Sequence, residues 1–588
     1  MVPIHKKGDK SDPGNYRGIT LMSCLGKLFI AILNNRLIIY ATENNILSIS
    51  QLGFVAGNRC SDAHIIINNI VRKYCHKKGE KIYSCFVDFS KAFDTVPRDI
   101  LMNKLQNYGI TGRFFNVIKN IYMDDKACVK MDHKRGELFD INQGVRQGCV
   151  LSPLLFNIFI SDLAKELEEL DGKMKINDKE INSIFWADDI IMLADSQEHL
   201  QRMLNLLEDY CKKNKLQVNT DKTKTMIFNK TGRQMRRPFQ INGTILESVR
   251  MYKYLGFILT PSGEINTGLN DLKDRSLRAF MEIKKDLGES FDKDIKTTLT
   301  IVDTMIKPIM MYNSDYWGCM KLPKNNPIEV THMKICKQLL GVHKTTTNLG
   351  VLLETGRVPW HIHAIKASIK NWERIRKSQA NLLLIDSYTN AIEEQLPWIA
   401  QIRDTLETNG MLEHYLNPSE DEPLFINQEL YQKLVDQFHQ NAFETINKPD
   451  SKLRTYALFK KEEGQEKYLI EIKNILLRKQ ITRLRLSNHS LMIETGRHEH
   501  TPKEHSYCPF CKDQVETEVH FLFRCPIFSS LRNDLNKYIQ EHNPNYLTLN
   551  DNERLECLMN NIDTHISKHI YDAFELRSFL VKYPKRLS

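Results

Sequence analysis

The sequence predicts an α/β (α+β) chain that becomes helical and ends in a small metal-type module, on three observations. Up to about residue 260, short β-type runs alternate with amphipathic helices. Beyond residue 265 the apolar periodicity is almost wholly helical, with basic faces such as Lys284-Lys285 and Arg374, Arg376 and Lys377. Near residue 500, Cys and His concentrate. No repeat or Gly/Ser linker divides the chain, so its boundaries rest on pattern alone.

The run Ile82-Tyr83-Ser84-Cys85-Phe86-Val87-Asp88-Phe89 reads as a mostly buried strand. Ser183-Ile184-Phe185-Trp186 and Ile190-Ile191-Met192-Leu193-Ala194 read as two strands around a tight turn, Ala187-Asp188-Asp189. Ser196 is placed to cap a helix carrying Leu200, Met203, Leu204, Leu207 and Cys211 at helical spacing.

The chain has 588 residues and a formal charge of +10, an excess that favours polyanionic partners because basic side chains displace counterions from phosphates. Its 13 Cys are odd in number and mostly scattered, which suits a reducing compartment better than a secreted disulfide framework. Met1-Val2-Pro3-Ile4-His5-Lys6-Lys7 has no apolar signal region, and no apolar run approaches the roughly 18 residues of a membrane span. The expectation is a soluble intracellular protein, cytoplasmic or nuclear, with no membrane partner.

Nucleotidyl transfer sets a specific requirement. Two divalent ions roughly 4 Å apart can stabilise the attacking and leaving oxygens together. Magnesium takes a few carboxylates and keeps its remaining positions for water and substrate oxygens. Such a site needs an acid at one strand end facing an acid pair on a neighbouring turn. Asp88 ends one apolar strand and Asp188-Asp189 occupy the turn of another. Asp is also a common turn former, so neither element decides alone.

The context decides. Phe86-Val87-Asp88-Phe89-Ser90-Lys91-Ala92-Phe93-Asp94-Thr95-Val96 resembles the first palm motif of non-LTR (LINE-type) retrotransposon reverse transcriptases. Gly144-Val145-Arg146-Gln147-Gly148, continuing to Asn157, resembles their template- and nucleotide-positioning motif. Phe185-Trp186-Ala187-Asp188-Asp189 resembles their catalytic hairpin, Asn219-Thr220-Asp221-Lys222-Thr223-Lys224 their lysine motif, and Tyr254-Leu255-Gly256 their primer-grip turn. Pro3-Ile4-His5-Lys6-Lys7-Gly8-Asp9, Asn15-Tyr16-Arg17-Gly18-Ile19 and Gln51-Leu52-Gly53-Phe54 resemble their fingers. Trp186 is bulkier than the family's usual residue, and Gly18 stands where many members have Pro.

This resemblance implies a right-hand polymerase palm with fingers over 1–260, a helical thumb over 261–350, a helical connector over 351–500, a zinc module over 501–530 and a helical tail over 531–588. The implied activity is RNA-directed DNA polymerisation with two Mg²⁺ ions, or Mn²⁺ in their place, using an RNA template, a DNA primer or target DNA and deoxynucleoside triphosphates. Asp88 and Asp188 would bind the metals with the Phe89 carbonyl, and Asp189 would support them. Lys6 or Lys7, together with Arg17, would hold the triphosphate, where Arg offers a fork to phosphate oxygens. Gln147 and Gly148 would shape the templating-base pocket, and Phe93 would bar a 2′-hydroxyl. Lys222 would protonate the leaving pyrophosphate. Asp94, just before Pro97, reads as a helix cap.

Tyr122-Met123-Asp124-Asp125 repeats the catalytic box of retroviral enzymes, but it precedes Gln147-Gly148 and so breaks the motif order. Its left flank, with Phe114, Phe115, Val117, Ile118 and Ile121, has helical spacing, and the box reads as a helix end and turn.

Cys508-x2-Cys511-x8-His520-x4-Cys525 can close tetrahedrally on zinc. Its setting, Ile481-Thr482-Arg483-Leu484-Arg485-Leu486 and Glu494-Thr495-Gly496-Arg497-His498, resembles the tails of many non-LTR elements, where such a knuckle is thought to bind element RNA or target DNA. No apurinic-type endonuclease precedes Met1 and no Pro-Asp nuclease motif follows Cys525, so DNA nicking is not expected. Two alternatives stay open: an inactive relict that only binds nucleic acid, and a maturase-like polymerase of group II introns, whose tail fits less well.

Overall fold

The computed structural model describes residues 1–583 apart from 124, 173, 178, 234–236, 324, 378–380 and 418–424. It divides into two compact units, residues 1–268, 315–320 and 370–405, and residues 269–314, 321–369 and 406–588.

In the first unit, β1 (Val2–His5) pairs antiparallel with β2 (Tyr16–Ile19), and helices α1 (Cys24–Glu43) and α2 (Cys60–Tyr74) follow. A five-stranded sheet forms the centre. Its order is β4 (Ser183–Trp186), β5 (Asp189–Ala194), β3 (Lys81–Val87), β6 (Lys224–Asn229) and β7 (Glu247–Ser248). Alternation along β3 sends Cys85 and Val87 into the main core with Ile190, Met192 and Ala194 of β5. Phe86 points the other way and stacks on Tyr252, ring centroids 4.1 Å apart. Both faces are covered, which is why β3 reads as a continuous apolar run instead of a clean alternation.

Among the described residues, four helices come between β3 and β4: α3 (Ala92–Thr95), α4 (Arg98–Asn107), α5 (Gly112–Met123) and α6 (Ser152–Glu168). After β5, Ser196 caps α7 (Gln197–Asn214) by accepting from the His199 N–H at 3.1 Å. Helix α6 packs on β4, and α7 on β5 and β3. Helix α1 bears on the expectation that the chain spans no membrane. The helix has 20 residues, and its best window reaches a mean hydropathy of 1.4, enough for a span by length and composition. Lys27, Asn34, Asn35 and Arg36 interrupt its apolar runs and hide that average, while Ile30, Leu37 and Ala41 pack in the main core.

The second unit is helical around a buried ionic cluster. Glu354 accepts from Arg485 Nε at 2.7 Å, from the Tyr456 hydroxyl at 2.7 Å and from the Tyr468 hydroxyl at 2.5 Å. Arg485 also reaches Glu466 at 2.6 Å. Every charge is paired, the condition under which a buried polar network specifies a core. Arg485 of the Arg-rich segment is therefore an internal staple.

Candidate active site

The sheet register assembles the acids. Val87 pairs with Ile190, so Asp88, the residue just after β3, comes level with Asp189 at the head of β5. Ala187, at a left-handed φ of +56°, and Asp188 turn the hairpin between β4 and β5. Trp186 pairs with Asp189, so the bulky residue closes the hairpin without breaking its ladder.

The electrostatics follow from this crowding. Asp188 is held above the usual carboxylate range, by burial first, with the Asp88 charge adding and Arg17 and Lys222 opposing. Asp189 is pushed up to about 6, by burial first, then by the charges of Asp188 and Asp88, against Lys222. Asp189 is exposed at its outer surface while protein packs closely around it, and an upward shift is what crowded carboxylates require. A cluster of three carboxylates set against one lysine and one arginine is short of positive charge. Divalent ions with open positions fit it.

The lysine motif is tied to Asp88 at several points. Lys222 Nζ lies 3.1 Å from the Asp88 carboxylate, and the Asp88 N–H donates to Thr223 Oγ1 at 3.2 Å. The Asn219 N–H donates to the Asp88 carbonyl at 2.8 Å, and Phe89 bridges to Val218.

Strands β1 and β2 reach the same place. Arg17, on β2 opposite Ile4, is exposed and acts on Asp188. Lys6 and Lys7 follow β1, both exposed, and the Lys6 N–H donates to the Asn15 carbonyl at 2.8 Å. At the end of β2, the Thr20 N–H donates to the Gln147 carbonyl at 2.8 Å. Gly148 has φ +100°, and a Cβ there would stand 3.0 Å from the Thr20 carbonyl oxygen, so this junction requires glycine.

Asp94 is not the expected helix cap. Pro97 is the N-cap of α4, and the Asp94 carboxylate accepts from the Gln147 side chain at 2.7 Å. Thr95 and Val96 separate Asp94 from that cap, and a side-chain cap must sit at the helix start itself. The Phe93 ring stacks on Phe156 with centroids 4.5 Å apart and meets Phe54 edge-on at 6.3 Å. One face is thus core, and the side chain remains half-buried.

The retroviral look-alike falls at the end of α5, which stops at Met123. Asp124 lies outside the described residues. The Tyr122 hydroxyl is 3.0 Å from Ser152 Oγ in the core. Asp125 is buried and pairs with Arg98 at 2.9 Å and Arg146 at 2.7 Å. Replacing Asp125 by Ala should cost about 3–5 kcal/mol, because two guanidinium groups lose their buried partner. Urea unfolding would show that drop, and a variant as stable as the parent would contradict it.

The four zinc candidates also converge. Their ligand atoms all lie within 4.8 Å of one another, with Cys508 Sγ and Cys525 Sγ 3.9 Å apart and Cys511 Sγ 3.4 Å from His520 Nε2. A tetrahedron with Zn–S bonds of about 2.3 Å has edges of about 3.8 Å, so the set fits zinc. Gln514 Oε1 lies 3.1 Å from His520 Nδ1 and turns Nε2 toward the thiols. The sequence reading did not foresee how firmly this module is held. Glu516 pairs with Arg577 at 2.6 Å, and Glu518 with Arg454 at 2.9 Å and His489 at 3.0 Å.

A strand-end acid thus faces an acid pair on a hairpin, with β1 and β2 beside it. Residues 4–259 match the family model for reverse transcriptase (RNA-dependent DNA polymerase). It is 28% identical over 339 residues to the "Probable RNA-directed DNA polymerase from transposon BS" of Drosophila melanogaster, covering 56% of this chain and 37% of that one. It is 24% identical over 382 residues to the Pol polyprotein of retrotransposable element R2 of Nasonia vitripennis, covering 60% and 36%. The polymerase of mobile element jockey from Drosophila funebris is 25% identical, covering 58% and 37%. The matches to these relatives thus span little more than a third of their length. Among solved structures, apo telomerase from Candida tropicalis matches with a TM-score of 0.32 at 11% identity, over 70% of this chain and 60% of that one.

Proposed function

We propose that this chain polymerises DNA on an RNA template as the reverse-transcriptase part of a non-LTR retrotransposon protein. The observation that carries the reading is the cluster of Asp88, Asp188 and Asp189, in which the Asp188 and Asp189 carboxyls are shifted upward and Lys222 and Arg17 act as the opposing cations. Asp88, Asp188 and the Phe89 carbonyl would hold two Mg²⁺ ions, with Mn²⁺ as a substitute and Asp189 in support. The ions, when bound, supply charge stabilisation at the attacking and leaving oxygens. Arg17, with Lys6 or Lys7, holds the triphosphate, and Gln147, steadied by Asp94, and Gly148 shape the templating-base pocket. Lys222 is placed to give a proton to the departing pyrophosphate once its pairing with Asp88 is released. Residues 1–260 serve as fingers and palm, 261–350 as thumb, 351–500 as connector, 501–530 as zinc module and 531–588 as tail. RNA and primer or target DNA are the partners.

Extension of oligo(dT) on poly(rA) with dTTP and Mg²⁺ tests this. Purified full chain should add dTMP. A chain that binds the duplex and adds nothing would be the inactive relict. For sugar choice, Phe93→Val should raise ribonucleotide incorporation several-fold, since one aromatic wall is worth on the order of 1–3 kcal/mol of discrimination. A variant that rejects ribonucleotides as well as the parent would leave Phe93 a core residue only.

A further inference from the structure

The hairpin ladder by itself leaves the turn that carries Asp188 held only at its two strand ends. A second element holds it from the side. Residues 50–53 add to the edge of β4: the Phe185 N–H donates to the Ser50 carbonyl at 2.9 Å, and the Leu52 N–H donates to the Phe185 carbonyl at 2.8 Å. This alignment buries Gln51. Its Oε1 accepts from the Ala187 N–H at 3.1 Å and from the Gly53 N–H at 2.9 Å.

Two further residues make this contact specific. Gly53 lies so close to the turn that a Cβ would stand 2.5 Å from the Ala187 nitrogen and 2.7 Å from the Trp186 carbonyl carbon. Both are backbone atoms, which cannot swing aside. Asn157, fully buried on α6, donates from Nδ2 to the Gly53 carbonyl at 2.8 Å. The chain Asn157–Gly53–Gln51–Ala187 therefore runs from the core helix to the residue before Asp188. Ala187 is itself buried and left-handed, a conformation that persists only where its surroundings impose it.

We propose that Gln51 is a positioning residue of the polymerase centre, its amide oxygen fixing the Ala187–Asp188 turn so that Asp188 stays opposite Asp88. Gly53 and Asn157 hold Gln51 in place. The inference rests on reading the palm as a polymerase. Catalytic groups must be held within about 0.5 Å of productive geometry, and a shift of about 1 Å can cost on the order of 10²-fold in rate.

The test is Gln51→Met, which keeps side-chain length and removes the acceptor, with Gly53→Ala as a second variant that displaces the turn and leaves the acceptor in place. In the full chain, amide exchange at Ala187 should quicken by about tenfold relative to Ile191, and the Mn²⁺ concentration for half-saturation should rise about tenfold. Primer extension should lose about 10- to 100-fold in kcat, with the dTTP KM within about twofold of the parent, as expected for displaced catalytic carboxylates. Gly53→Ala should move all three readouts the same way. Parent-like exchange and Mn²⁺ binding in folded Gln51→Met would overturn the proposal. If the parent itself extends no primer, the polymerase reading fails, while exchange and Mn²⁺ titration still report whether Gln51 holds the turn.

Discussion

Asp188→Ala should abolish primer extension, with a loss of at least about 10³-fold, because one carboxylate fewer leaves the metals misplaced and the developing charge unsupported. Asp88→Ala should do the same, and circular dichroism should show both variants folded. Asp124→Ala, in the retroviral look-alike, should keep most activity, since its sequence context reads as a turn and replacing a turn Asp costs about 1 kcal/mol or less. Its neighbour Asp125 should behave differently from all of these, losing stability instead of chemistry, because it is buried between Arg98 and Arg146. The reverse pattern, with Asp124 essential and Asp188 dispensable, would refute the motif order on which the site rests.

Full chain should carry about one zinc, and changing Cys508 and Cys511 together to Ser should remove it. Zinc binding to such sites supplies folding free energy, with apparent values of about 10–16 kcal/mol in isolated finger peptides at neutral pH. Here the module is bound to its unit through Glu516–Arg577 and Glu518–Arg454. Metal loss should therefore loosen more of the chain than the 18 residues from Cys508 to Cys525. Elemental analysis reads the metal, and limited proteolysis of residues 406–588 reads the loosening. Equal zinc in parent and variant would remove the idea.

Local pattern revealed what local physics decides. The β3 run, the hairpin strands around Ala187-Asp188 and the Ser196-capped helix are all legible because each is fixed by periodicity or by a cap a few residues long. The helical character of α5 up to Met123 is legible in the spacing of Phe114, Phe115, Val117, Ile118 and Ile121, and that spacing sets the look-alike box apart from Ala187-Asp188-Asp189. Partnerships across the chain left no such trace. Gln51 meets Ala187 across 136 residues, and Asp94 meets Gln147 across 53. Neither pair has a spacing that sequence could show, and Asp94 beside Pro97 carried a local signal for the wrong role. The same holds for Arg485, which looks like a surface cation in a basic stretch until the fold closes Glu354, Tyr456 and Tyr468 around it.

The central claim is that these palm acids make DNA by copying RNA. The most direct measurement is the sequence of the product made by purified full chain on a heteropolymeric RNA annealed to a DNA primer. The expected product is DNA complementary to the RNA, present with Mg²⁺, absent without it and absent for Asp88→Ala. DNA synthesis that survives Asp88→Ala, or a parent that binds the primed RNA and leaves the primer unextended, would contradict it.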